Sequence, residues 1–180
     1  QGAAYRSQLW SCDQPGSCAG GDMGVIDLAV LRDAVGTDGP ICVRGGGTRW
    51  VVGGAVGGAR VVSAPVGIEA LEPAEMTVVV GAGTTVVDLA AALAEHGQEV
   101  ALDGPVGATV GGALMVGWNP LRRGRLGEVA DVLLQADCVG ADGRVFIAGG
   151  PTVKNVTGYD LCRLLVGSLG TLALVGRVIL

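Results

Sequence analysis

Apolar residues along the chain follow two periods, and the switch between them marks its elements. Residues 1–22 follow neither and form a tail or lead-in. "IDLAVLRDAVG" has a helical spacing, with Asp27 placed to cap it and Gly36 to end it. "ICVR" is a short apolar run, expected as a buried strand, and it meets three glycines at once. "GGAVGGARVV" is turn-rich, and "MTVVVGAG" is a strong strand. "TTVVDLAAALAEHG" is the clearest helix: Thr85 and Asp88 make a capping-box-like pair, Val86, Leu89, Ala90 and Leu93 share a face, and Gly97 stops it.

"EVALDGP" is expected as a short strand entering a turn, and "GATVGGALMVGW" carries too many glycines to assign. "ADVLLQADCV" and "RVFIAGG" flank "GADG", a hairpin signal. "YDLCRLLVG" is a short helix capped by Asp160 and followed by Gly167, and "TLALVGRVIL" is a closing strand. Strands mixed with short helices favour an α+β fold with at least one mixed or antiparallel sheet over a regular doubly wound one.

Composition sharpens this outline. The chain has 180 residues, about half of them apolar, with six aromatic residues, so Val, Leu and Ala must build the core. A net charge of −5 argues against a nucleic-acid surface. The uncharged stretches Gly104–Leu121 and Leu164–Gly176 are broken by glycines, and the first also by prolines, so they are expected as buried segments of a soluble fold, not membrane spans. Residues 1–20 lack the apolar core of a signal peptide, which points to the cytoplasm, with any membrane association through partners.

Five cysteines at irregular spacing do not read as a disulfide framework. Cys12 and Cys18 could pair or bind metal, or be two free thiols in the tail. A single histidine, His96, rules out a multi-histidine metal site, so no metal is expected. His96 reads most simply as a residue suited to the end of a helix.

The chain has 33 glycines, and clusters of them recur at "RGGGT", "GAGTT", "GPVGATVGG" and "GSLGT", each at or near the end of an element. Any one could be only a tight turn. A glycine-rich turn can also aim successive N–H groups into a concavity and bind an anion, commonly phosphate. Two familiar phosphate loops are excluded by spacing. "GAGTTV" has Val86 where a dinucleotide fingerprint needs its third glycine, and "RGGGT" lacks the P-loop pattern.

The order of the clusters is more specific. "VRGGGT", "TVVVGAGTTVVDLAAALAEHGQEVALDGP", "ATVGGAL", "RRGRLGEVADVLLQADCVGADGRV" and "PTVKNVTGYDLCRLLVGSLGTLALV" together resemble the FAD-binding domain of the vanillyl-alcohol-oxidase-type (PCMH) flavoproteins. Within that family the likeness is to the FAD-binding subunits of bacterial glycolate oxidases and their relatives. It covers roughly residues 24–180.

The resemblance implies two α+β lobes, about 23–103 and about 104–180, with FAD between them. The larger second lobe would carry a mixed or antiparallel sheet. "RGGGT" would be the pyrophosphate loop: the backbone of Gly45, Gly46, Gly47 and Thr48 would approach phosphate oxygens that any Cβ would obstruct. Thr48 would add a hydroxyl donor. On this reading Gly46→Val should abolish FAD binding and leave a folded chain. Arg44 is either a cofactor contact or half of a surface ion pair. Pro105, Ala108, Thr109, Gly111 and Gly112 would line the cofactor from the second lobe, and Gly170, Thr171 and Val175 would offer backbone contacts along it.

Two readings stand for Arg122, Arg123 and Arg125: contacts to a phosphate or substrate carboxylate, or solvated surface charges. The same holds for Lys154, Asn155 and Tyr159, which are near the flavin or are a turn cap and an amphipathic ring. Members with covalent flavin carry His directly after these glycines. Thr48 stands there, so noncovalent FAD is expected. Ala173 and Gly176 depart from the family's "GTLGVIT" form. Family members continue into a substrate-binding cap domain, and this chain stops at Leu180 where the cap would begin.

The implied activity is oxidation of a small 2-hydroxy acid such as glycolate or D-lactate, with flavin as hydride acceptor. A second flavoprotein and an iron–sulfur subunit are the expected partners. No catalytic base can be placed in this chain, and a non-catalytic flavin or electron-transfer module is the alternative.

Overall fold

A computed structural model describes residues 26–55, 57–151 and 159–180. Cys12, Cys18, Lys154 and Asn155 lie outside these residues. In chain order the elements are α1 (Leu28–Val35), β1 (Ile41–Val43), a 3-10 turn (Trp50–Gly53), β2 (Arg60–Val62), β3 (Ile68–Glu72), β4 (Thr77–Gly81) and α2 (Val86–Ala94). They continue with α3 (Val110–Val116), α4 (Arg123–Leu126), α5 (Val129–Val132), β5 (Gln135–Val139), β6 (Val145–Gly149), α6 (Leu161–Leu165) and β7 (Leu174–Ile179).

The strands form two sheets. β1 and β2 pair in parallel, with Ile41 opposite Arg60 and Val43 opposite Val62. The other five strands run antiparallel in the order β3-β4-β7-β5-β6. The larger sheet takes β3 and β4 from before residue 103 and β5 to β7 from after it. A small apolar cluster of Leu31, Val35, Val62, Val139 and Leu174 joins α1 and the parallel pair to this sheet. The main core, including Val80, Leu89, Val110, Leu114, Cys138 and Val178, lies between the large sheet and helices α2, α3, α5 and α6.

Local chemistry explains the elements. In α1 the Ala29 N–H donates to the Asp27 carboxylate at 2.7 Å, and Gly36 leaves the helix at φ 58°. The Arg60 guanidinium donates to the carbonyls of Ala34, Val35 and Asp38, fastening the end of α1 to β2. In α2 the Asp88 N–H donates to Thr85 Oγ1 at 3.0 Å, and the hydroxyl donates to the Asp88 carboxylate at 2.6 Å. The face expected from spacing holds for Val86, Leu89 and Leu93, but Ala90 is exposed.

Four segments differ from expectation. β1 is half-buried, not buried, because its sheet has only two strands. "GGAVGGARVV" ends in β2, and "EVALDGP" joins no sheet, although Ala101 and Leu102 are buried. β3 was not signalled by the pattern at all. Glu69 breaks its apolar run, and a register irregularity falls between Ile68 and Ala70.

The reason for Glu69 is Arg177, 108 residues later. Arg177 Nη1 donates to both Glu69 oxygens, at 2.9 and 3.0 Å, and Nε donates to Asp137 Oδ2 at 2.9 Å. On the intervening strand β4, the residue opposite Arg177 is Gly81, which has no side chain to block the reach. Burial works against the Arg177 charge, but the two carboxylates outweigh it and raise its pKa. Gly176, beside it, is bare for another reason: a Cβ there would press on Leu28 and Leu31 of α1.

Candidate functional site: a cavity between three glycine segments

A cavity of about 630 Å³ opens between the three-glycine segment, the start of α3 and the loop before β7. That volume lies in the range of small-molecule and cofactor sites. Gly45, Gly46, Gly47 and Thr48 line it from the first segment; Ala108, Thr109 and Gly112 from the second; Gly170 and Thr171 from the third. Three sequence clusters expected to share a site are therefore adjacent in space. The fourth, "GAGTT", turns the chain from β4 into α2 and lies outside the lining.

The segment "RGGGT" leaves β1 and makes no regular structure before the 3-10 turn. Its glycines are needed first for contact with the second segment. A Cβ at Gly46 would overlap the carbonyl oxygen of Gly107, and one at Gly45 would overlap the Thr109 hydroxyl. Gly47 sits at φ 69°, a left-handed conformation that favours glycine. Among the described residues, the N–H groups of Gly45, Gly46, Gly47 and Thr48 donate to no protein acceptor. Backbone donors left free beside a cavity are the elements of an anion cradle.

The second segment is ordered by α3. Thr109 is buried and caps this helix, accepting from the Gly112 N–H at 3.2 Å. Glycine is a poor helix former, yet α3 forms because its packing requires bare backbone. Gly111 donates to the Ala82 carbonyl at 2.8 Å, and a Cβ on Gly111 would lie 2.9 Å from the Ala82 Cβ.

The third segment hangs on the far end of the same helix. Gly167 N–H donates to Leu114 at 3.1 Å and Leu169 N–H to Met115 at 2.9 Å. Leu169 is itself left-handed at φ 56°, a strained conformation for this residue, and its place is the cavity wall. The rest of the wall is largely apolar, with Ile41, Val43, Met115 and Leu172 among it. The lining holds no histidine and no carboxylate among the described residues.

Four expected site residues lie off the lining. Pro105 is exposed and accepts from the Ala108 N–H at 2.9 Å, Gly111 is under Ala82, and Val175 is buried in β7. Arg44 is exposed and lies over the Trp50 ring, 5.2 Å from its centre. Arg122 and Arg125 both pair with Glu99, so their charge is met within the chain. Tyr159 is fully out in solvent at 91% exposure. Sequence reasoning missed Cys42, Arg49, Trp50 and Met115 in the lining. Arg49 and Trp50 adjoin the glycine segment, which was the available signal; Cys42 and Met115 carried none.

The remaining described cysteines are core residues. Burial pushes the Cys138 thiol up to about 12 and the Cys162 thiol up to about 11, with Asp137 and Asp160 adding to it. Cys162 donates to the Ala148 carbonyl at 3.5 Å. No group of side chains that could hold a metal occurs among the described residues, and no helix among them is long and apolar enough to cross a membrane.

Comparison with known proteins adds to this geometry. The FAD binding domain family model matches residues 28–149. The chain is 34% identical over 157 residues to D-lactate dehydrogenase of Archaeoglobus fulgidus, covering 83% of this chain and 34% of that one. It is 32% identical over 155 residues to glycolate oxidase subunit GlcE of Escherichia coli, covering 84% of this chain and 44% of that one. The chain thus spans less than half the length of these curated relatives. The solved structure of an alkyldihydroxyacetonephosphate synthase shares the fold, with a TM-score of 0.68 at 19% identity, covering 84% of this chain and 28% of that one.

Proposed function

The chain belongs to the FAD binding domain family, and from that premise we propose that it holds FAD noncovalently as part of a flavin-dependent oxidoreductase acting on a small 2-hydroxy acid. The observation that carries the first half is the cavity itself, with four unspent backbone N–H groups at one wall and apolar side chains elsewhere. Gly45 to Thr48 would hold the pyrophosphate, and Thr109 and Thr171 add hydroxyls to the lining. Thr48 has an alcohol where a covalent tether would need a histidine.

The substrate class comes from the relatives, whose names are D-lactate dehydrogenase and glycolate oxidase subunit GlcE. Bound FAD supplies the hydride acceptor for such an oxidation. The residues of this chain supply binding, orientation and exclusion of water at the apolar wall. The described lining residues offer no general base, since neither histidine nor carboxylate is among them. The base and the carboxylate clamp therefore come from another segment or another subunit, such as a second flavoprotein or an iron–sulfur protein in a cytoplasmic complex. The same observation favours a second reading, an electron-transfer module with no substrate of its own.

A visible spectrum tests the proposal. Flavin bands in the purified protein, or after incubation with FAD, support the cofactor; their absence in both removes it. With FAD bound, anaerobic glycolate or D-lactate separates the two readings: bleaching supports the oxidoreductase, and an unchanged spectrum supports the module.

A further inference from the structure

Two arginines bracket the three-glycine segment, and both lie on tryptophan faces. The Arg44 guanidinium is 5.2 Å from the Trp50 ring centre, and that of Arg49 is 5.6 Å from the Trp118 ring centre. Neither has a carboxylate partner among the described residues. Two uncompensated cations therefore stand beside four free N–H donors.

The two stacks differ in what they join. Arg44 and Trp50 belong to one segment. Arg49 lines the cavity, whereas Trp118 follows Gly117, the left-handed residue that ends α3. The second stack therefore crosses from the three-glycine segment to the far end of the helix that Thr109 begins. Trp118 is 64% exposed, so core packing does not account for its position. Gly117 fixes where the ring is presented: a Cβ on it would lie 2.9 Å from the Gly167 Cα, so the end of α3 is pressed against the third segment.

We propose that Arg49 is a positioning residue for FAD: its guanidinium, laid on Trp118, straps the three-glycine segment to α3 and sets how long the cofactor stays bound. The proposal rests on the functional reading above and deepens it. A dinucleotide brings two phosphate charges, which suit a wall that includes Arg49 and has Arg44 nearby, neither with a carboxylate partner among the described residues. On this proposal the cofactor leaves when the segment swings away from α3, which breaks the stack. A cation–π contact at an exposed ring changes a rate by roughly twofold to fivefold.

The test measures FAD dissociation by stopped-flow flavin fluorescence on the whole chain, with the melting temperature of the FAD-free protein as a second readout. Arg49→Gln and Trp118→Ala should each speed dissociation by about twofold to fivefold. The double variant should be no faster than either alone, since one contact is lost in both. Trp118→Tyr keeps an aromatic face and should restore slow release, and the melting temperatures of the FAD-free variants should fall by no more than a few degrees, as the loss of one such contact gives. Unchanged dissociation in Trp118→Ala, or multiplied effects in the double variant, overturns the strap while leaving the functional reading intact. An unmutated protein that binds no FAD removes that reading and the strap with it.

Discussion

Gly46 lies against the carbonyl of Gly107, so closely that even a methyl group cannot fit between the two segments. The expectation that Gly46→Val would block the cofactor and leave the fold intact is therefore revised. Gly46→Ala should already lower stability, by about 1–3 kcal/mol as for other overpacked sites. Urea unfolding of the FAD-free protein measures this. A midpoint equal to that of the unmutated chain would contradict the contact.

Two threonines perform the same helix-capping task, but only one faces the cavity. Thr85 caps α2 and Thr109 caps α3. Each Thr→Ala change should cost about 1 kcal/mol of stability. Thr109→Ala alone should also weaken FAD binding, by roughly tenfold if one hydrogen bond to a charged group is lost. Calorimetric titration of both variants with FAD checks the contrast. Equal affinities would remove Thr109 from the site.

Arg177 joins three strands through Glu69 and Asp137, and Asp137 is only 1% exposed. Arg177→Gln leaves that carboxylate buried with no opposite charge beside it. The expected loss is about 3–5 kcal/mol, the usual cost of breaking a buried pair. It would be read as a lower urea midpoint, and a change within error would mean that water reaches Asp137.

The raised thiols give a pH dependence with a definite sign. Cys138 and Cys162 ordinarily ionise near 9 but are held up to about 12 and about 11. The folded state therefore favours the neutral thiol. Their contribution to stability is complete below pH 9 and is lost as pH rises from 9 through the folded values. Cys138→Ala should show a shallower alkaline fall in stability than the parent. At pH 8 iodoacetamide should label Cys42 in the folded protein and spare Cys138 and Cys162, as mass spectrometry of the peptides can show.

How much of this was legible depended on whether the decisive partner was local. α2 could be read from Thr85, its apolar face and Gly97, all within one short stretch. The hairpin of β5 and β6 was equally plain from "GADG", where Gly143 takes φ 73°. β3 was hidden because Glu69 makes sense only beside Arg177, far along the chain. α3 was hidden because its glycines answer to Ala82 and Thr109, not to helix propensity. The cavity was anticipated through its glycine segments. Its apolar wall was not, since Ile41, Met115 and Leu172 look like ordinary core residues until the loops are in place. The bare turn at "RGGGT" was read as room for a ligand, and much of that room is taken by Gly107 and Thr109.

β7 comes last of the described strands in sequence but is the middle one in the sheet, with β4 on one side and β5 on the other. During synthesis the hairpins β3–β4 and β5–β6 can each form early. Until residues 174–179 leave the ribosome, each keeps an open edge that should have been paired. The two halves cannot merge before then, and Asp137 and Glu69 must wait for Arg177. Pairing within this sheet is thus completed only after β7 is released, and a nascent chain stalled before that point is the form most exposed to aggregation.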